Sequence, residues 1–229
     1  IMNKVLILGD GLLGSELVTQ TNWDYISRKK DNITLDNIIN NTKLLVDYNV
    51  IVNCIANTDS YSKNKENHLE VNYKFPILLS NLCNNNNKKL VHISTDFVYA
   101  NNPNIPTEED LPLPDNNWYA YTKLLADEYI KITNTNYLIC RLSHKPNPFP
   151  YPEVWDIKTN GDTVDKISEL VIKLINNNAN GIYNVGTKSK SLKEIAPNSK
   201  VILPPEYVPK DTRMNLNKLK NFLYEMDKL

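Results

Sequence analysis

The chain has 229 residues, with 26 Lys+Arg against 26 Asp+Glu, a length that suits one α/β domain with a modest annex rather than two independent domains. Balanced charge supplies no overall pull toward nucleic acid or an anionic membrane, so the expected partner is a small molecule. Cys54, Cys83 and Cys140 lack metal-ligand spacing and read as reduced core thiols of a cytosolic protein with no metal site, and no apolar run approaches the roughly 20 residues of a membrane helix.

The first predicted element organises the rest. Val5 to Leu8 form an apolar run that feeds Gly9-Asp-Gly11-Leu12-Leu13-Gly14, a Gly-x-Gly-x-x-Gly turn holding three of the chain's six glycines. The pattern predicts a buried parallel strand, a tight turn at Gly9, room for a pyrophosphate at Gly11, and close helix packing at Gly14. The first amides of the following helix, from Leu12 and Leu13 onward, then face the phosphates of a dinucleotide. Residues 23–27 form a second strand. At its end Ser27-Arg28-Lys29-Lys30 offers a hydroxyl and three cations where an NAD-selective fold usually carries Asp or Glu, which points to a 2′-phosphate and hence NADPH, with NADH as the other possibility.

Residues 36–47 have helical spacing, and 50–55 form a β-branched strand expected beside the first. Its end, Asn53-Cys54-Ile55-Ala56-Asn57-Thr58, is where backbone should pass the cofactor, because ligands of open α/β sheets bind outside the carboxyl ends of strands. A helix over 68–83, a strand over 90–94, a helix over 119–132 and a strand over 137–142 follow. This alternation predicts a Rossmann-type, doubly wound parallel sheet. The core is expected over 1–145, with a small substrate-binding lobe over 146–229. Eight prolines between Pro146 and Pro209 predict loops around a helix at 164–175, a strand at 181–185 and a short helix at 192–195. A last helix is expected over 217–229.

Four Tyr-x-x-x-Lys pairs occur: Tyr25/Lys29, Tyr61/Lys65, Tyr119/Lys123 and Tyr224/Lys228. Spacing of four places both side chains on one face only within a helix. Tyr119 alone begins a helix that follows a strand ending in hydroxyls, Ser94 and Thr95.

With these residues in place, the sequence resembles an extended short-chain dehydrogenase/reductase, and most closely the dTDP-4-dehydrorhamnose reductase family. The matching features are Gly9 to Gly14, the strand ending at 53–58, Ser94-Thr-Asp-Phe-Val-Tyr99 and Tyr119-Ala-Tyr-Thr-Lys123, with Gly181-Ile-Tyr-Asn-Val-Gly186 similar to a later strand. The resemblance implies NADPH-dependent reduction of a nucleotide-linked 4-keto-6-deoxyhexose. Tyr119 would supply the proton and Thr95 would hold the carbonyl oxygen. Lys123 would lower the pKa of Tyr119 and bond the nicotinamide ribose. Members of the family run longer, and the shortfall falls between Ser143 and Asp162. Related reductases that also epimerise carry Cys two residues after the catalytic Ser/Thr; here that position is Phe97, so no epimerase activity is expected. His144, beside a Pro-rich loop, reads as a surface histidine, and Arg213 reads equally as a substrate-phosphate ligand or a surface ion pair. Two other readings stay open: a cofactor-binding regulatory subunit resembling the β-subunit of methionine adenosyltransferase, and a sugar-nucleotide epimerase or dehydratase. A homodimer is common for such folds, but no residue fixes an interface.

Overall fold

The computed structural model describes residues 4–34, 37, 46–226 and 228. Six parallel strands form the central sheet in the order β10-β5-β4-β3-β1-β2. They are β1 (Val5–Leu8), β2 (Asp24–Ile26), β3 (Val50–Asn53), β4 (Lys89–Thr95), β5 (Tyr137–Leu142) and β10 (Gly181–Val185). The chain runs outward from β1 to β2, then returns to place β3 on the other side of β1. The crevice at that reversal is where a ligand is expected in such a sheet.

Both faces of the sheet are covered, as the near-continuous apolar strands require. Val5 and Ile7 point into one core, with Leu13 and Leu17 of α1 (Leu12–Thr21) and the apolar stripe of the Val164–Asn176 helix. Leu6 and Leu8 point the other way, onto Phe75, Leu79 and Cys83 of the Phe75–Asn85 helix and Ile130 of the Trp118–Thr133 helix. Strand alternation therefore assigns each residue of β1 to one of two cores.

Among the described residues the α-helices after α1 are, in chain order, α2 (Arg28–Asp31), α3 (Lys65–His68), α4 (Phe75–Asn85), α5 (Trp118–Thr133), α6 (Val164–Asn176), α7 (Leu192–Ile195) and α8 (Asn217–Met226). Residues 36 and 38–45 of the helix expected over 36–47 lie outside the described residues, and residues 46 and 47 form a turn rather than its last turn of helix. The one expected over 68–83 starts earlier, at Lys65, because the Asn64 side chain accepts from the Asn67 N–H as a cap; a π-helical segment, Leu69–Lys74, joins α3 to α4. The Asn117 side chain caps α5 in the same way through the Ala120 N–H at 2.7 Å. Between Ser143 and Ile202, where loops were expected, short strands pair off the main sheet: β6 (His144–Lys145) with β9 (Asp162–Thr163), β7 (Glu153–Trp155) with β12 (Lys200–Ile202), and β8 (Lys158–Thr159) with β11 (Lys190–Ser191). Prolines flank these strands rather than interrupt them, so no ladder hydrogen bond is lost.

The glycine turn is built by close approach. Gly9 adopts φ +100°, and a Cβ on Gly14 would stand 2.1 Å from the Gly9 carbonyl oxygen. Gly14→Ala must push α1 off the end of β1. The expected result is a loss of at least about 3 kcal/mol in urea unfolding, at the upper end of overpacking costs, together with weaker dinucleotide binding.

Candidate active site

A cavity of about 800 Å³ opens at the carboxyl ends of β1, β3 and β4. Among the residues proposed from sequence, it is lined by Gly11, Leu12, Leu13, Cys54, Ala56, Thr95, Tyr119 and Lys123. Gly9, Gly14 and Ile55 stand behind that lining as packing: a Cβ on Gly9 would meet Ile55 Cγ1 at 2.9 Å. Gly11 has nothing within 4 Å of an added Cβ. The α1 helix begins without a side-chain cap and without an acidic residue in its first turn, leaving its first N–H groups and the positive end of its dipole to another acceptor. This cradle fits a pyrophosphate. Among the described residues no group of three His, Cys, Asp or Glu is placed to hold a metal ion, and no helix is long and apolar enough to cross a membrane.

Three sequence readings need correction here. Ser27 is fully buried and caps α2: its hydroxyl donates to Asp10 Oδ2 at 3.0 Å and accepts from the Lys30 N–H at 3.1 Å. It has no exposed surface and does not line the cavity, so it is not placed to meet a 2′-phosphate. Arg28, the first residue of α2, is exposed. His144 is half-buried rather than a free surface histidine; it lines the cavity from β6, its Nδ1 is buried without a partner, and burial pushes its pKa down to about 4.

Tyr119 packs edge-on against Phe97 (centroids 6.1 Å apart) and His68 (6.4 Å), so its ring is held on the cavity wall. Thr95 Oγ1 accepts from the Phe97 N–H and donates to Asp96 Oδ1, both at 3.2 Å, and stands close enough to Tyr119 to favour a phenolate. Even so, burial, together with the Asp96 and Asp127 carboxylates, pushes the phenol up to about 12 rather than down as expected. The reason is the position of Lys123, whose Nζ is turned to the sheet, 2.6 Å from the Ile93 carbonyl and 3.1 Å from His92 Nε2. Burial pushes that lysine down to about 8, against the opposing pull of Asp127 and Cys54.

Sequence reasoning missed the polar layer beneath this pair. Alternate residues of β4, His92 and Ser94, face α5, and their neighbours in register are Asn53 of β3 and Arg141 of β5. Asn53, His92, Asp127 and Arg141 are each at most 1% exposed. Asp127 Oδ2 accepts from Ser94 Oγ at 2.8 Å and from Arg141 Nε at 3.0 Å, and Arg141 also bonds the Tyr99 hydroxyl. The available signal was the period-two run of polar residues in an otherwise apolar strand, with Lys123 and Asp127 four apart on the facing helix. Asp96, beside Thr95, was also missed; burial pushes its carboxyl up to about 6. Arg213 forks onto Asp211 at 2.6 to 3.0 Å, the surface ion pair of the two alternatives. A second cavity, about 690 Å³, is lined by Tyr61, Asn117, Trp118 and Tyr207. It holds neither Thr95, Tyr119 nor Lys123, so the chemistry belongs to the larger one.

The family described as the RmlD substrate binding domain matches residues 2–144. A search of curated proteins found no match. Among solved structures, the chain is similar to a dTDP-4-dehydrorhamnose reductase from Clostridium acetobutylicum, with TM-score 0.80 and 21% identity over 96% of this chain and 92% of that one. It is likewise similar to the Bacillus anthracis dTDP-4-dehydrorhamnose reductase in complex with NADP, with TM-score 0.80 and 22% identity over 97% and 93%. The UDP-rhamnose synthase of Acanthamoeba polyphaga mimivirus gives TM-score 0.77 and 16% identity over 98% and 95%. At these identities the likeness is one of fold. The coverage leaves little room for the shortfall expected between Ser143 and Asp162.

Proposed function

The chain belongs to the RmlD substrate-binding-domain family, and on that premise we propose that it reduces the 4-keto group of a nucleotide-linked 4-keto-6-deoxyhexose, as in rhamnose biosynthesis. The observation that carries the reading is the meeting of Thr95, Tyr119 and Lys123 on a cavity that also reaches the glycine turn. NADPH bound along that turn would supply the hydride. Gly11, Leu12 and Leu13 would hold its pyrophosphate, and Cys54, Ile55 and Ala56 would pass beside it. Thr95 turns its proton from Asp96 to the substrate oxygen, and Tyr119 gives its phenolic proton to the same oxygen as it becomes a hydroxyl. Phe97 fills the position at which an epimerising relative carries Cys. Two structures of similar fold support the ligand class: one was solved with NADP and one, MoeE5, with UDP-glucose and NAD.

Following NADPH oxidation with dTDP- and UDP-linked 4-keto-6-deoxyhexoses, with NADH in parallel, tests the proposal. Stoichiometric NADPH consumption supports the reductase. A regulatory subunit without turnover predicts NADPH binding and no oxidation. A recycling epimerase or dehydratase predicts tightly retained NAD(H).

With Ser27 buried, Arg28 and Lys29 carry the preference for a 2′-phosphate. Arg28→Ala is expected to weaken NADPH binding about tenfold or more, as for a lost charge-assisted hydrogen bond, and to leave NADH binding unchanged. Fluorescence titration of the two cofactors checks this; equal losses for both would remove Arg28 from the cofactor site.

A further inference from the structure

The hydrogen bonds beneath Lys123 form a chain in which each donor is fixed by the one before it. The Ile55 N–H donates to Asn53 Oδ1 at 3.1 Å, so the Asn53 Nδ2 faces the other way and meets His92 Nδ1 at 3.2 Å. An amide nitrogen only donates, so Nδ1 must accept. Burial keeps His92 well below its ordinary pKa, and a neutral imidazole whose Nδ1 accepts carries its proton on Nε2. That Nε2–H points at Lys123 Nζ, 3.1 Å away. An ammonium has no lone pair to receive it, whereas an uncharged amine accepts from Nε2–H and still donates to the Ile93 carbonyl.

The charges around Lys123 permit this. His92 faces it from β4, Cys54 from the end of β3, and Asp127 from the next turn of α5. Asp127 already has a cation, Arg141 of β5, on Oδ2. Its Oδ1 has no partner and lies 3.9 Å from His92 Nε2, a waiting acceptor for that N–H whenever Lys123 is charged and turns away.

We propose that His92 is a positioning residue that biases the protonation state of Lys123, so that in the ligand-free protein the amine parked on the sheet gives up its proton below the ordinary lysine range. When Lys123 becomes charged it leaves Nε2–H, which passes to Asp127 Oδ1, and the lysine is free to reach Tyr119. The inference rests on the reductase reading for its consequence in turnover, but its first test does not.

The chain has three histidines, so the imidazole nitrogens of 15N-labelled, ligand-free protein can be assigned by comparison with His92→Gln. The expected spectrum shows His92 as the neutral Nε2–H tautomer from about pH 6 to about pH 10, with a step in its shifts below the ordinary lysine range that is absent in Lys123→Met. An Nδ1–H tautomer, an imidazolium or the lack of any such step would overturn the proposal, whether or not the protein turns over sugar nucleotides. In an active enzyme the basic limb of kcat/KM follows loss of the Lys123 charge. His92→Gln, which presents an acceptor, is expected to move that limb up by about one pH unit or more. A lower amplitude with an unmoved limb would mean that His92 only packs.

Discussion

Tyr119→Phe is expected to lower kcat by about two to four orders of magnitude, the range for removal of a positioned proton donor, while the dissociation constant for NADPH stays unchanged. The substitution is clean because the ring is fixed by its edge contacts to Phe97 and His68, which Phe retains. Only the hydroxyl is lost, and Thr95 keeps its bonds to Asp96 and the Phe97 N–H. A phenol near 12 in the ligand-free protein holds its proton firmly until a negative charge develops on the substrate oxygen, so the loss should fall on kcat rather than KM. Single-turnover oxidation of bound NADPH separates the chemical step from product release. An unchanged rate would remove Tyr119 as the donor and direct the search to His144, a titratable group at the same cavity whose Nδ1 is buried without a partner.

The elements that sequence located most closely are those whose limits are local. Tyr137–Leu142, Gly181–Val185 and Leu192–Ile195 match the expected bounds because each apolar stretch is bracketed by turn residues or a cap, as at Ser191, whose capping box fixes the start of α7. The glycine turn was legible for the same reason. What was not legible depends on contacts between distant segments. Asn53, His92, Ser94 and Arg141 come from three strands and read in sequence as polar interruptions; only the register of the sheet stacks them under Lys123. His144 resembles a loop residue until β6 pairs with β9 and carries it inward. The direction of Lys123 was misjudged because helical spacing places Tyr119 and Lys123 on one face but says nothing about a competing carbonyl on the strand below.

Arg141 carries the largest expected effect on stability. Its guanidinium is 1% exposed, bonds Asp127 through Nε, bonds the Tyr99 hydroxyl, and lies 4.7 Å from the centre of that ring. Arg141→Leu removes the cation and leaves the Asp127 carboxylate buried, with Ser94 as its one remaining bonded partner on Oδ2. Breaking a buried pair from one side typically costs about 3–5 kcal/mol, and urea unfolding should show a loss of that size. Adding Asp127→Asn is expected to restore part of it, because the uncompensated charge is then gone; a double variant as unstable as the sum of the singles would mean that the pair contributes packing alone. The same substitution tests the link to Lys123. With Arg141 gone, Asp127 turns its charge on the nearest remaining cation, so Lys123 should hold its proton to higher pH than in the parent protein. The basic limb of kcat/KM therefore moves up in Arg141→Leu and returns in the double variant, so that a residue remote from the cavity alters the pH range over which Lys123 is charged.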